Sequence, residues 1–164
     1  CSLVGDFGRA LGEVIDKYSP DRVIIEPSGV GKLSDVIAAV ENADCKGAVL
    51  NSYTAVVDAK KCKIYHKNFG EFFNNQIESA RTIILSHTGG LAEDKLDKAL
   101  DIIKGLNHDA LVVTTDWEQI NGEQLLDAIE NGNKAIILDH GRLIASGDAK
   151  EICAQYDEMV KGGK

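Results

Sequence analysis

Apolar positions along the chain switch between two spacings, and the order of the switches predicts a fold class. Phe7, Leu11, Val14 and Ile15 recur at helical spacing within residues 5–18, and Ser19-Pro20 follows where a helix stops. Arg22-Val23-Ile24-Ile25-Glu26 is a short β-branched run bounded by Pro20 and Pro27, which predicts a strand buried on both faces. The same reading gives a helix over 33–40, a strand over 48–57, a helix over 71–80 and a strand over 82–85. It continues with a helix over 93–106, a strand over 110–114 and a helix over 122–130. Nearly all-apolar strands alternating with helices predict an α/β fold, a mostly parallel sheet with helices on both faces. Beyond Asn131-Gly132-Asn133 the pattern changes to 135–138, a turn at Asp139-His140-Gly141, and 142–145, an antiparallel hairpin, with a last helix over 149–160. No repeat or long linker interrupts the chain, so residues 1–130 read as one domain, with the hairpin and terminal helix of 131–164 appended to it.

Composition narrows the function classes. The 164 residues are 44% hydrophobic, enough for one continuous core without disulfide or metal staples. With 18 basic against 26 acidic residues the net charge is -8, which disfavours nucleic acid and anionic membranes as partners. No apolar run reaches the ~18 residues that span a bilayer, and the first residues lack the regions of a signal peptide, so a cytoplasmic location is expected. Cys1, Cys45, Cys62 and Cys153 form no CxxC pair, and reduced thiols are the expectation. The opening Cys-Ser-Leu without an initiator Met leads us to expect further sequence upstream.

Chemistry concentrates at Glu26-Pro27-Ser28-Gly29. A carboxylate at the tip of a buried parallel strand can orient water on Mg²⁺, and a following glycine lets a backbone N–H approach a terminal phosphate. The alternative is an acidic helix cap. Gly29-Val30-Gly31-Lys32-Leu33-Ser34 imitates a phosphate-binding loop but fails its spacing. That loop needs glycine where Glu26 stands and a hydroxyl residue where Leu33 stands, so Lys32 reads as a solvated lysine in a flexible, switch-like turn. Asp6-Phe7-Gly8 imitates a kinase magnesium motif, yet sits in a helix start with no catalytic loop.

Taken together, several short motifs resemble the CobW/HypB/UreG GTPases of metal insertion, over about residues 1–130. Cys1-Ser2-Leu3 with Gly5-Asp6 is similar to the end of that family's Gly-x-Cys-x-Cys-Cys-Ser-Leu segment, and Glu26, Ser28 and Gly29 match its Glu-x-Ser/Thr-Gly. Thr54-Ala55-Val56-Val57-Asp58 resembles its Thr-Val-Val-Asp strand. Asn75-Gln76-Ile77 with Ala80, followed by Thr82-Ile83-Ile84-Leu85, resembles the run into its base-recognition motif. The resemblance implies a P-loop GTPase fold of about five parallel strands, with GTP and Mg²⁺ as cofactors of the full-length protein. Glu26 would act in catalysis, with Glu26, Ser28, Gly29, Asp58, Ser86 and His87 toward nucleotide and Mg²⁺. Cys1 would bind Zn²⁺ or a similar soft metal, and the partner would be a metal-requiring client protein.

Two departures matter. The family's Asn-Lys-x-Asp aligns with Ser86-His87-Thr88-Gly89, so the carboxylate that recognises guanine is absent there. The phosphate-binding loop and the strand before it lie outside these residues, so the chain alone is expected to be inactive. Two strand edges would then call for complementation by an upstream segment or a homo-dimer. The stretch Ile137 to Gly147 also resembles a hairpin of ABC-transporter ATPases, but the signature order of that class is wrong here. A non-catalytic regulatory or protein-interaction domain is the alternative from another class.

Other candidates read as structural. Cys62 and His66 are spaced for one helical face, but Lys60, Lys61, Lys63 and Lys67 oppose a cation, so a solvated basic patch is expected. His87, His108 and His140 have no ligand partner at short spacing and read as surface loop residues. Trp117 reads as a packing anchor, although the matching loop of G domains lies beside the base.

Overall fold

The computed structural model describes residues 2–27, 31–43, 45, 47–130, 134–139 and 142–148, with side chains described between residues 7 and 130. The chain enters through α1 (Ser2–Tyr18), whose Gly8 lies so close to the end of the next helix that an added Cβ would stand 3.3 Å from Ala43 Cβ. The glycine of the kinase-like tripeptide is therefore a helix-packing glycine. Residues 22–27 then run without regular secondary structure and join no sheet. This corrects the strand expected over 22–26. A β-branched run becomes a strand only against a neighbour, and here Ile24 is 85% exposed.

Helix α2 (Leu33–Glu41) leads to the first sheet strand, β1 (Thr54–Asp58). The strand is shorter than the expected 48–57, since Val49 is 87% exposed and has no sheet to lie on. A short helix, α3 (Cys62–Asn68), occupies the stretch read as a solvated patch. Its lysines, Lys63 and Lys67, are exposed as expected, but Cys62 is fully buried, so the segment has an inner face that its charges conceal. Then follow α4 (Gly70–Ser79), β2 (Thr82–Ser86), α5 (Glu93–Leu106), β3 (Leu111–Val113) and α6 (Gly122–Glu130). Helix α6 starts where a reciprocal pair fixes it: Asn121 Oδ1 accepts from the Gln124 N–H at 2.8 Å, and Gln124 Oε1 from the Asn121 N–H at 3.1 Å. Strands β4 (Lys134–Asp139) and β5 (Arg142–Asp148) pair antiparallel, and the helix expected over 149–160 lies outside the described residues.

The main sheet has the order β1-β2-β3, all parallel, with Ala55 opposite Ile83 and Val57 opposite Leu85. Among the described residues it has three strands rather than about five. One face, carrying Ala55, Val57, Ile83 and Leu85, packs on Cys62, Ile77, Ala99 and Ile103 from α3, α4 and α5. On the other face the Thr82 hydroxyl donates to the Ala128 carbonyl in α6 at 2.9 Å, and the Ser52 hydroxyl donates to that of Ile129. Helices therefore lie on both faces of the sheet. The outer edge of β1 has no partner strand among the described residues, and Val56 there is 63% exposed.

One polar side chain ties α4, α5 and β3 together. Asn107 Nδ2 donates to the carbonyls of Ile77 (2.8 Å) and Ala80 (2.9 Å), which the end of α4 leaves open, with Glu78 at 3.4 Å. Its Oδ1 accepts from the backbone N–H groups of Asp109 (3.2 Å) and Ala110 (3.0 Å), which leads the chain into β3. Asn107→Ala leaves these groups short of partners at once and is expected to cost ~2–3 kcal/mol, read as a lower urea midpoint with an unchanged slope.

Candidate functional site

Parallel strands end on one side of a sheet, and that side of open α/β folds is where ligands bind. Here the carboxyl ends of β1 and β2 bring Asp58 opposite Ser86 in register. The Ser86 hydroxyl lies 3.4 Å from the Val57 carbonyl and 3.2 Å from His87 Nδ1. His87 Nδ1 is 3.6 Å from Asp58 Oδ2. Asp58 Oδ1 is already committed, accepting from the backbone N–H groups of Lys60 (2.9 Å) and Lys61 (3.2 Å). One carboxylate oxygen thus starts α3, and the other turns to His87. The structure therefore brings together Asp58, Ser86 and His87 of the expected set.

His87 adopts a left-handed backbone, φ 59°, an uncommon conformation for a side chain of its size. Gly90, at φ 65°, takes the same region without a steric cost, so the turn after β2 is a tight one. In that turn Thr88 Oγ1 is buried without a hydrogen-bond partner. The turn after β3 meets it: the Asp116 carboxylate lies directly against Gly89, with Oδ2 2.1 Å from where a Cβ would be. Asp116 is held by its own turn, its carbonyl accepting from the N–H groups of Gln119 (2.8 Å) and Ile120 (3.1 Å). Trp117 beside it is 42% exposed, so it is no buried anchor. Sequence reasoning missed Asp116 because nothing local marks it; its meaning comes from the glycine it faces.

Glu26 is exposed near the end of the irregular segment 22–27, while Ser28, Gly29 and Cys1 lie outside the described residues. Just beyond, Gly31 to Ser34 is clamped by α4. Gln76 Nε2 donates to the Gly31 carbonyl at 2.7 Å, Asn75 Oδ1 accepts from the Ser34 N–H at 3.2 Å, and Asn75 Nδ2 donates to the Ser34 hydroxyl at 3.0 Å. Lys32 is not a free, solvated lysine as expected: its ammonium stands 2.7 Å from Glu71 Oε1. The hydrogen bond and charge of Glu71 raise the Lys32 pKa, and Lys32 in turn lowers that of Glu71.

Cys62 and His66 do not converge on one point. The Cys62 thiol faces the Ala99 carbonyl at 3.9 Å inside the core, whereas His66 Nδ1 pairs with Asn74 Oδ1 at 2.8 Å. Among the described residues no group of three or more His, Cys, Asp or Glu side chains could hold a metal ion. His87 and His108 are exposed, as read from the sequence, and His140 lies outside the described residues. No helix among the described residues is long and apolar enough to cross a membrane.

Comparison with known families matches residues 1–114 to the CobW/HypB/UreG nucleotide-binding domain. No curated protein matches the chain, and no solved structure does.

Burial, with the nearby Asp58 charge second, pushes the Cys62 thiol up from 9.0 to about 11. Between those values the unfolded chain releases a proton that the folded chain keeps, so stability falls as pH rises through that window. Urea midpoints taken from pH 8 upward are expected to decline more steeply for the parent chain than for Cys62→Ala. Native Cys62 should resist a thiol reagent that modifies it in urea.

Proposed function

As the chain belongs to the CobW/HypB/UreG nucleotide-binding family, we propose that it is the base-binding and switch-bearing part of a GTP-dependent protein serving metal insertion or metal homeostasis. The observation that carries this reading is the gathering of Asp58, Ser86 and His87 at the carboxyl end of a parallel sheet, with the turns after β2 and β3 beside them. A nucleotide laid along that edge would meet polar side chains where open α/β sheets take their ligands.

The phosphates need a different cradle. No stretch of these 164 residues has the spacing of a phosphate-binding loop, so that loop would come from outside them. The edge of β1 offers the place for the strand that leads into it: its backbone groups face no strand among the described residues, and Val56 in it is exposed. Glu26 is exposed in the segment 22–27, which suits contact with Mg²⁺ through water, and Ser28 and Gly29 would follow toward the terminal phosphate. Bound Mg²⁺ would neutralise phosphate charge. Cys1 would join cysteines outside the chain on Zn²⁺ or a similar soft metal. In this reading the chain by itself does not hydrolyse nucleotide, and it acts on a metal-requiring client once the rest of the protein is present.

Titration of GTP, ATP and Zn²⁺ into this chain and into the full-length protein tests the proposal. Nucleotide and metal are expected to bind only the longer form, with hydrolysis confined to it and lost in Glu26→Gln. A full-length protein that binds no nucleotide would sink the reading.

A further inference from the structure

The position that should carry a guanine-reading carboxylate is Gly89, and the structure fills its place with another one. Asp116 Oδ2 lies 2.1 Å, Cγ 3.0 Å and Oδ1 3.3 Å from where a Cβ at residue 89 would be. An aspartate at 89 would hold its own carboxyl carbon about 1.5 Å from that Cβ, one carbon–carbon bond away. The two carboxyl carbons would thus lie between about 1.5 and 4.5 Å apart, depending on the rotamer at 89, so both carboxylates serve the same corner of the site. Gly89 does not need to be glycine for its backbone, since the left-handed residues of the turn are His87 and Gly90. What excludes a side chain there is the Asp116 carboxylate itself.

We infer that Asp116 reads the base of the bound nucleotide, replacing from the turn after β3 the aspartate that the turn after β2 lacks. The inference rests on the nucleotide reading above, but the family match does not supply it, because that match ends at residue 114. A carboxylate is the side chain that accepts from guanine N1–H and its 2-amino group side by side, whereas adenine presents an acceptor at N1 and repels it. The oxygens have capacity to spare: the Glu118 N–H reaches Oδ1 only at 3.4 Å. The aspartate's own turn fixes its backbone, which limits where its carboxylate can lie before a base arrives. Trp117, the chain's one tryptophan, is 42% exposed next to it and supplies both a ring for the base to lie against and a fluorescent reporter.

The test is a fluorescence titration of the full-length protein with GTP, ITP, XTP and ATP. The parent protein is expected to prefer GTP and to bind ITP, which lacks the 2-amino group, about tenfold more weakly. Asp116→Asn keeps the shape but exchanges an acceptor for a donor, so GTP should weaken by about 10- to 100-fold while XTP, with a carbonyl at that ring position, gains. Moving the carboxylate back, as Gly89→Asp with Asp116→Gly, should restore the preference for GTP, which a merely structural role of Asp116 would not do. An Asp116→Asn protein that still prefers GTP to XTP, or a parent protein that prefers ATP, overturns the inference and leaves the nucleotide reading standing. Failure of every nucleotide to bind overturns both.

Discussion

The buried strand β2 is the constraint from which the rest of the architecture follows. Thr82 to Leu85 are shielded on both faces, and their backbone groups are satisfied by parallel ladders to β1 on one side and β3 on the other. An apolar strand with no wet face can exist only between neighbours and under helices. Because the ladders are parallel, three chain directions agree and three carboxyl ends finish together. That alignment sets Asp58 beside Ser86, and it lets the turn carrying Gly89 meet the turn carrying Asp116. The polar site is a by-product of how the apolar strand satisfies its hydrogen bonds.

How much of this was legible depends on whether the signal was local. Helices α5 and α6 fall on the expected residues, α6 because Asn121 and Gln124 cap each other and mark its start within four residues of sequence. The run at 82–85 was readable because a β-branched threonine leads three apolar residues in a row, a composition that suits a buried strand. By contrast 22–26 has equal β propensity and no sheet, since propensity cannot supply a neighbour. The short helix α3 was hidden by its lysines, whose charges describe only its outer face while Cys62 fills the core. Asp58, Ser86 and His87 were named through family resemblance, and the structure places them side by side at the sheet's carboxyl end. Asp116 was not, because its partner lies in a different turn and is a glycine, a residue with no side chain to announce a contact.

The motifs that carried the resemblance turn out to do scaffold work as well. Asn75 and Gln76 hold Gly31 to Ser34 against α4, and Ile77, next in the same motif, is fully buried. Lys32 in that clamped segment is paired with Glu71, which disposes of the phosphate-loop imitation on geometric as well as spacing grounds. Asp58 spends one carboxylate oxygen on the amides that begin α3. A family likeness read as a list of ligands would miss that these residues first fix where the segment after Glu26 can lie.

The open edge of β1 joins the stability of the sheet to its proposed function. Backbone donors and acceptors along that edge face no strand among the described residues, and Val56 beside them is largely exposed. A strand seated there parallel to β1 would pair those groups and cover Val56. Its carboxyl end would emerge beside Asp58, where a loop that cradles phosphate would have to begin. Seating the strand and binding the nucleotide would then draw on the same contacts, so each would favour the other by linkage.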